Sequence, residues 1–118
     1  MTIKSFTDLE VWRVGHALVL DVYRLTKSFP REEQFGLISQ MRRAAVSITS
    51  NISEGFSRRS AKEKIQFYHM SLGSLTELQN QLLIAKDLRY LSNSSFVQSV
   101  QKIIQVNKLI HGLIKTAN

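Results

Sequence analysis

Residues 38–55, ISQMRRAAVSITSNISEG, carry the clearest periodicity in the chain. Their apolar positions alternate intervals of three and four, at Ile38, Met41, Ala45, Ile48 and Ile52. That spacing places an apolar stripe on one face of an α-helix. It predicts a helix over residues 31–54, opened by Pro30 and capped at its C-terminus by Gly55.

Three further segments have helical periodicity, and they predict helices over residues 8–28, 60–89 and 94–115. Asp8 is the expected N-cap of the first, and the run from Ser60 to Glu63 has the form of a capping box for the third. The serines of residues 92–95 offer N-caps for the fourth. No segment alternates apolar and polar residues as a strand does. The expected fold is all-α, an antiparallel up-down four-helix bundle of one domain, residues 1–118.

The composition excludes several classes of site. The 118 residues include no cysteine, which excludes disulfides, thiolate zinc sites and cysteine nucleophiles and is typical of a reducing compartment. The opening MTIKSFTDLE lacks the apolar core of a signal peptide, and no apolar run is long enough to cross a membrane. We therefore expect a cytoplasmic protein without a membrane partner.

Catalytic and metal-binding patterns are also missing from the sequence. Di-iron helical bundles use Glu-x-x-His pairs, but no carboxylate stands three residues before His16, His69 or His111. The sequence contains no glycine-rich phosphate loop, zincin motif or nucleophile elbow. We expect no catalytic residue, no metal and no cofactor.

The chain is strongly basic, with 16 Lys and Arg against 9 Asp and Glu and a net charge of +7. Such an excess favours acidic partners, chiefly nucleic acid or an anionic membrane surface. The candidate RNA or DNA contacts are Arg58, Arg59, Lys62, Lys64, Lys102, Lys108 and Lys115. An antiparallel bundle is expected to gather these residues at one pole. The alternative is a scaffold for protein interactions, in which the positive charge is incidental.

A second group of polar residues adjoins the apolar stripe of residues 38–55. Antiparallel pairing of the second and third helices brings Glu77 within about one turn of Arg42 and Arg43. We predict an ion pair between Glu77 and one of these arginines, with Asn51 hydrogen-bonded nearby and Glu54 on the same face. Such a network is expected to fix helix register rather than to catalyse.

The first and fourth helices carry more apolar residues than a core stripe requires. Examples are Leu18, Val19 and Leu25 in the first helix and Val106 and Leu109 in the fourth. A monomer would leave part of this surface in water, which predicts self-association.

The chain also resembles the 23S rRNA intervening sequence family of four-helix bundle proteins. The resemblance rests on residues 9–12 (LEVW), 29–30 (FP), 40–45 (QMRRAA), 47–48 (SI), 51–55 (NISEG), 73–74 (GS) and Glu77. It implies a bacterial, non-enzymatic homopentamer with a nucleic-acid partner. The family is similar in fold and size to the accessory protein of diversity-generating retroelements, which binds nucleic acid and a reverse transcriptase. The resemblance does not imply a retroelement for this chain, and a partner protein such as a reverse transcriptase is left open as an alternative.

Overall fold

A computed structural model describes residues 2–118, and this part of the chain contains helices and turns but no strand. The four helices are α1 (Glu10–Thr26), α2 (Leu37–Ser57), α3 (Ala61–Asp87) and α4 (Asn93–Ala117). Short 3₁₀ turns, Phe6–Asp8 and Arg31–Glu33, precede α1 and α2. The predicted all-helical class and the four helices are confirmed.

Neighbouring helices run antiparallel around a single core. The Ser71 hydroxyl near the middle of α3 donates to the carbonyl of Ile48 in α2 at 2.8 Å, and Gly55 near the end of α2 faces Tyr68 near the start of α3. The largest fully buried apolar side chains come from all four helices: Leu18, Val22, Met41, Ile48, Ile52, Leu75, Leu78, Leu82, Val106 and Ile110. The core covers much of the surface that the sequence predicted to be exposed on α1 and α4, although Leu20, Val97 and Ile104 remain exposed.

The N-terminal boundary of α1 differs from the predicted one. Asp8 does not cap α1, which begins at Glu10 and ends at Thr26 rather than spanning residues 8–28. Instead, the Asp8 carboxylate accepts hydrogen bonds from the backbone N–H groups of Lys4 and Ser5, at 2.9 and 3.1 Å. These bonds close a capping box on the preceding 3₁₀ turn and lower the pKa of the Asp8 carboxyl.

The start of α2 is also displaced, from residue 31 to Leu37. Residues 31–33 form a 3₁₀ turn, and Glu33 takes over the capping of α2 because its carboxylate accepts the Leu37 N–H at 3.3 Å. The Tyr90 hydroxyl, in the turn between α3 and α4, donates to the other Glu33 oxygen at 2.9 Å. This hydrogen bond raises the pKa of Tyr90 and ties the connection between α1 and α2 to the turn after α3.

Gly55 is not the cap of α2, which continues to Ser57 with Arg58 as its C-cap. Gly55 is buried where α2 meets α3, and a Cβ atom there would lie 2.5 Å from Tyr68 Cε1 and 3.1 Å from Phe67 Cβ. The glycine therefore permits close approach of two helices. The third and fourth helices nearly match the predicted ranges 60–89 and 94–115, and Ser60 and Ser92 cap them through their side chains.

Candidate nucleic-acid interface

One end of the bundle collects the turn between α2 and α3, the start of α1 and the end of α4. Phe6 lies beside Ser57 there, and Leu9 lies beside Thr116. Five of the predicted contact residues belong to this end, which we call the basic pole: Arg58, Arg59, Lys62, Lys64 and Lys115. The antiparallel topology thus places Lys115 of α4 on the same end as the turn, as the sequence predicted.

Two residues of the basic pole have partners within the chain. The Arg58 guanidinium pairs with the Glu54 carboxylate at 3.1 Å and lies 4.7 Å from the centre of the Phe67 ring. The Lys64 ammonium donates to the carbonyl of Phe56 at 2.7 Å and to that of Gly55 at 3.4 Å. Lys64 therefore satisfies carbonyls at the C-terminal end of α2, where positive charge is favourable.

The other three residues of the basic pole are Arg59, Lys62 and Lys115, and all are exposed. Within residues 2–118, none of the three lies within 4.0 Å of a carboxylate. Ser60 caps α3 because its hydroxyl accepts the Glu63 N–H at 3.1 Å. The reciprocal bond of the predicted capping box, in which the Glu63 carboxylate would accept the Ser60 N–H, is not formed in this part of the chain. The basic pole thus holds three cations available to an anionic ligand.

Lys102 and Lys108 do not join the basic pole, which corrects the expectation from sequence. Lys102 pairs with Asp21 of α1, a carboxylate that also accepts Arg24 at 2.8 Å. Lys102 stands thirteen residues before Lys115, or about 20 Å along a helix rising 1.5 Å per residue. Lys108 is exposed between these positions, beside Ile104 on one flank and Leu109 on the other.

The predicted pairing of Arg42 with Glu77 is wrong, because Arg42 binds α1 instead. The Arg42 Nε donates to the Thr26 hydroxyl at 2.9 Å, and its guanidinium carbon lies 4.6 Å from the centre of the Tyr23 ring. A longer bond of 3.4 Å reaches the Tyr23 carbonyl. Since Thr26 is only 1% exposed, Arg42 joins α2 to a buried hydroxyl at the end of α1.

The remaining residues of the predicted network form separate local bonds. Asn51 donates to the Ser47 carbonyl and hydroxyl, at 2.9 and 3.1 Å, and the Ser47 hydroxyl lies 2.8 Å from that of Ser74 in α3. Glu54 pairs with Arg58 rather than with this group. Arg43 and Glu77 are both exposed, and within residues 2–118 neither forms an ion pair. The Ser47–Ser74 contact shows α2 and α3 paired antiparallel about as predicted, but the predicted salt bridge between them is not formed within residues 2–118.

The profile of the 23S rRNA-intervening sequence protein family matches residues 7–112. The chain belongs to this family. A solved structure from Bacteroides thetaiotaomicron VPI-5482, of a protein with unknown function from the S23 ribosomal protein family, is similar with a TM-score of 0.82 and 22% identity. The match covers 89% of this chain and 95% of that chain, and at this identity it shows the shared fold alone. No curated protein matches the sequence.

In this member of the family, the two adjacent arginines of α2 are expected to differ in their effect on stability. Arg42→Ala removes a charged hydrogen bond to a buried hydroxyl and the stacking on Tyr23, which lowers the free energy of unfolding by about 2 kcal/mol. Arg43→Ala removes an exposed side chain and changes it by less than about 0.5 kcal/mol. Urea denaturation of both variants measures the difference, and equal losses would contradict the assigned role of Arg42.

The sequence did not reveal an open groove of about 710 Å³ on the outer face of α2 in this family member. Its lining includes Tyr23, Phe35, Arg42, Arg43 and Val46. Phe35 is 92% exposed because the helix begins at Leu37 and leaves residue 35 in the connecting turn. The signal in the sequence that could have indicated this groove is Phe35, an apolar residue that lies outside the stripe of residues 38–55 and directly before Gly36.

Among residues 2–118, no cluster of His, Cys, Asp or Glu is arranged to hold a metal ion. In the same part of the chain, no helix combines the length and apolar character that membrane crossing requires. Two other features, the basic pole and the groove on α2, present groups to which a ligand can bind. The first suits phosphate groups through exposed cations, and the second suits a partner with apolar and acidic side chains.

Proposed function

We propose that this member of the 23S rRNA-intervening sequence protein family is a non-enzymatic, self-associating bundle that binds RNA or DNA through the basic pole. Contacts of this kind hold the phosphate backbone and tolerate any sequence. The ligand binds through charge on the protein surface, and the core serves to hold the four helix ends at fixed positions.

The observation that carries this proposal is the exposure of Arg59, Lys62 and Lys115 at one end of the bundle without carboxylate partners. Lys62 lies in the first turn of α3, where positive charge is slightly unfavourable for helix stability. A phosphate placed there would meet the side chain together with the N–H groups of the helix N-terminus. The net charge of +7 favours the same class of ligand at longer range.

Self-association would place several copies of the basic pole in one assembly. In a ring of parallel copies, such as the homopentamer that the family resemblance implies, each copy would present its pole on the same side of the ring. Weak contacts with individual phosphates then act together on one nucleic-acid chain, and the affinity rises without new contacts.

A protein-interaction scaffold is the competing function, and the groove beside Phe35 supports it. Phe35, which is 92% exposed, lines the groove together with the exposed Tyr23 and Val46, and an apolar patch of this kind is typical of a protein–protein interaction site. In that case the groove would receive a partner protein, such as a reverse transcriptase, and the basic pole would have no ligand.

Filter binding with labelled RNA of arbitrary sequence, repeated at increasing salt, separates the two functions. Phosphate contacts release counterions, so the affinity of a nucleic-acid-binding protein falls steeply as salt rises. A scaffold protein is expected to leave the labelled RNA unbound even at low salt. The same series with duplex DNA tests whether the basic pole distinguishes the two nucleic acids.

A further inference from the structure

Three aromatic side chains pack in series where α1 begins, and we call them the aromatic cluster. The Phe6 ring meets the Trp12 ring edge to face, with centroids 5.3 Å apart and planes at 65°. The Trp12 ring in turn stacks on the His16 ring, with centroids 4.7 Å apart and planes only 14° from parallel. Phe6 and Trp12 are half-buried against the core, whereas His16 is exposed. The aromatic cluster therefore extends from the edge of the core into solvent.

Local backbone contacts hold the aromatic cluster in place. Trp12 and His16 are four residues apart in α1, so they lie one turn apart on the same face of the helix. The Arg13 Nε donates to the Thr7 carbonyl at 3.0 Å, which fixes the 3₁₀ turn that carries Phe6 against α1. The rings are thus positioned before a ligand arrives, and binding does not have to order them.

The aromatic cluster adjoins the basic pole. Phe6 lines a depression of about 370 Å³ together with Ser57, and Ser57 stands two residues before Arg59. From Glu10 to His16, α1 rises by about 9 Å, which is the rise of roughly three stacked nucleotides. A nucleic-acid strand with a phosphate at Arg59 can therefore reach His16 within a few nucleotides.

The charges around the aromatic cluster are compatible with a phosphate chain. Asp8 lies 4.0 Å from the exposed Arg13 and also accepts two backbone N–H groups, and Glu54 is paired with Arg58 at 3.1 Å. Glu10 is two residues from Trp12, which places it on the other side of α1. Neighbouring carboxylates are thus bound to other groups or turned away from the rings.

Packing within the chain accounts for Trp12 better than for His16. Trp12 covers part of the core, but His16 is exposed and contributes little burial. A planar ring that is stacked on tryptophan and still accessible is a surface on which a nucleobase can stack. Such stacking tolerates any sequence, because every base has a π-face. In a duplex, neighbouring base pairs cover these faces, so aromatic side chains stack on unpaired bases.

We propose that the aromatic cluster stacks an unpaired nucleobase on His16, so that the basic pole binds single-stranded RNA or DNA in preference to a duplex. This site rests on the proposed nucleic-acid binding and names the form of nucleic acid that is bound. The exposed cations contact the phosphates of either form, whereas His16 adds a contact that an unpaired base can make. The strand passes from Arg59 over Phe6 to His16.

The affinities of His16 variants for a single strand and for a duplex test this site. Labelled single strands of about twenty thymidines or uridines, and a DNA duplex of about the same length, are titrated at about 50 mM salt. His16→Leu replaces the ring with a side chain that cannot stack. It is expected to weaken single-strand binding about tenfold and to leave duplex binding unchanged. Either single strand qualifies as the ligand if the wild type binds it more tightly than the duplex.

Two further variants control for the loss of a histidine. His16→Phe keeps a planar ring and is expected to bind single strands as tightly as the wild type does. His69→Leu makes the same substitution in α3, where His69 is exposed and belongs to no aromatic pair within residues 2–118. This variant is expected to keep the affinity of the wild type for both forms of nucleic acid.

The fluorescence of Trp12 gives a second readout, because Trp12 is the single tryptophan of the chain. A base that stacks on His16 changes the surroundings of the adjacent indole. Single strands are therefore expected to quench the fluorescence of the wild type, and a duplex bound to the cations alone is expected to leave it unchanged. His16→Phe is expected to preserve the quenching, since its ring can also stack.

Three results would overturn the stacking site while leaving nucleic-acid binding intact. They are equal single-strand affinities of His16→Leu and His69→Leu, equal losses for the single strand and the duplex, and Trp12 fluorescence that bound single strands do not change. A wild-type protein that binds none of these nucleic acids would overturn the proposed function together with the stacking site.

Discussion

Replacing Arg59, Lys62 and Lys115 together with glutamine is expected to reduce the affinity for RNA on the order of 100-fold at 50 mM salt. These are the exposed cations of the basic pole that have no carboxylate partner among residues 2–118. Each phosphate contact that is lost removes about 0.7 to 0.9 from the slope of log affinity against log salt. Filter binding over a range of salt measures both the affinity and the slope.

The matched control is a triple variant at the opposite end of the bundle. Lys27, Arg31 and Arg89 are exposed there, and their replacement with glutamine changes the net charge by the same amount. The control is expected to lose far less affinity, because it weakens only the long-range field. Equal losses in the two variants would mean that net charge alone controls binding and that the basic pole is not a site.

Gly55→Ala is expected to lower the free energy of unfolding by about 2 kcal/mol, although alanine is the better helix former. The new Cβ would lie 2.5 Å from the ring of Tyr68, a side chain that is 2% exposed and packed in the core. It would also lie 3.1 Å from Phe67 Cβ, next to the backbone of α3. Neither atom can move away without shifting the helix.

Gly112→Ala is the control for this substitution. Gly112 lies in α4, and a Cβ atom there would meet no other atom within 4 Å. The substitution is expected to raise the free energy of unfolding by about 0.5 kcal/mol through helix propensity alone. Urea denaturation of both variants is the measurement. A Gly55→Ala protein as stable as the wild type would show that α2 and α3 can separate slightly at low cost.

Helix periodicity was sufficient to predict the fold class, and local chemistry predicted some helix ends. The serine hydroxyls of Ser60 and Ser92 cap α3 and α4, since a capping bond needs only residues within one turn. Asp8 had the same signature but serves the 3₁₀ turn before α1. Sequence could not distinguish these cases, because Ser and Asp are both common N-caps and the outcome depends on where the chain turns next.

Features that depend on a neighbouring helix were less predictable. A glycine near a helix end suits a C-cap as well as a close helix crossing, and only the position of Tyr68 identifies the role of Gly55. The antiparallel register between α2 and α3 followed from the length of the turn. Whether Arg42 then reaches Glu77 or Thr26 depends on the direction of a long side chain, which register does not fix.

The sequence predicted only some of the free cations of the basic pole correctly, because it does not show which partner a long side chain reaches. Arg59, Lys62 and Lys115 remain exposed at one end, while Arg58 and Lys64 bind groups at the end of α2. Lys102 is paired with Asp21, a carboxylate eighty-one residues away in sequence. A count of basic residues therefore overstates the number of basic side chains that are free to contact a nucleic acid.

The binding of the wild-type protein to RNA as a function of salt tests the proposed function most directly. With three phosphate contacts at each basic pole, the slope of log affinity against log salt is expected to be about −2 to −3 per engaged copy. Affinity should be measurable at 50 mM salt and fall by more than about tenfold at 200 mM. Failure of the intact protein to retain labelled RNA or DNA at 50 mM salt, or an affinity independent of salt, would contradict nucleic-acid binding through the basic pole.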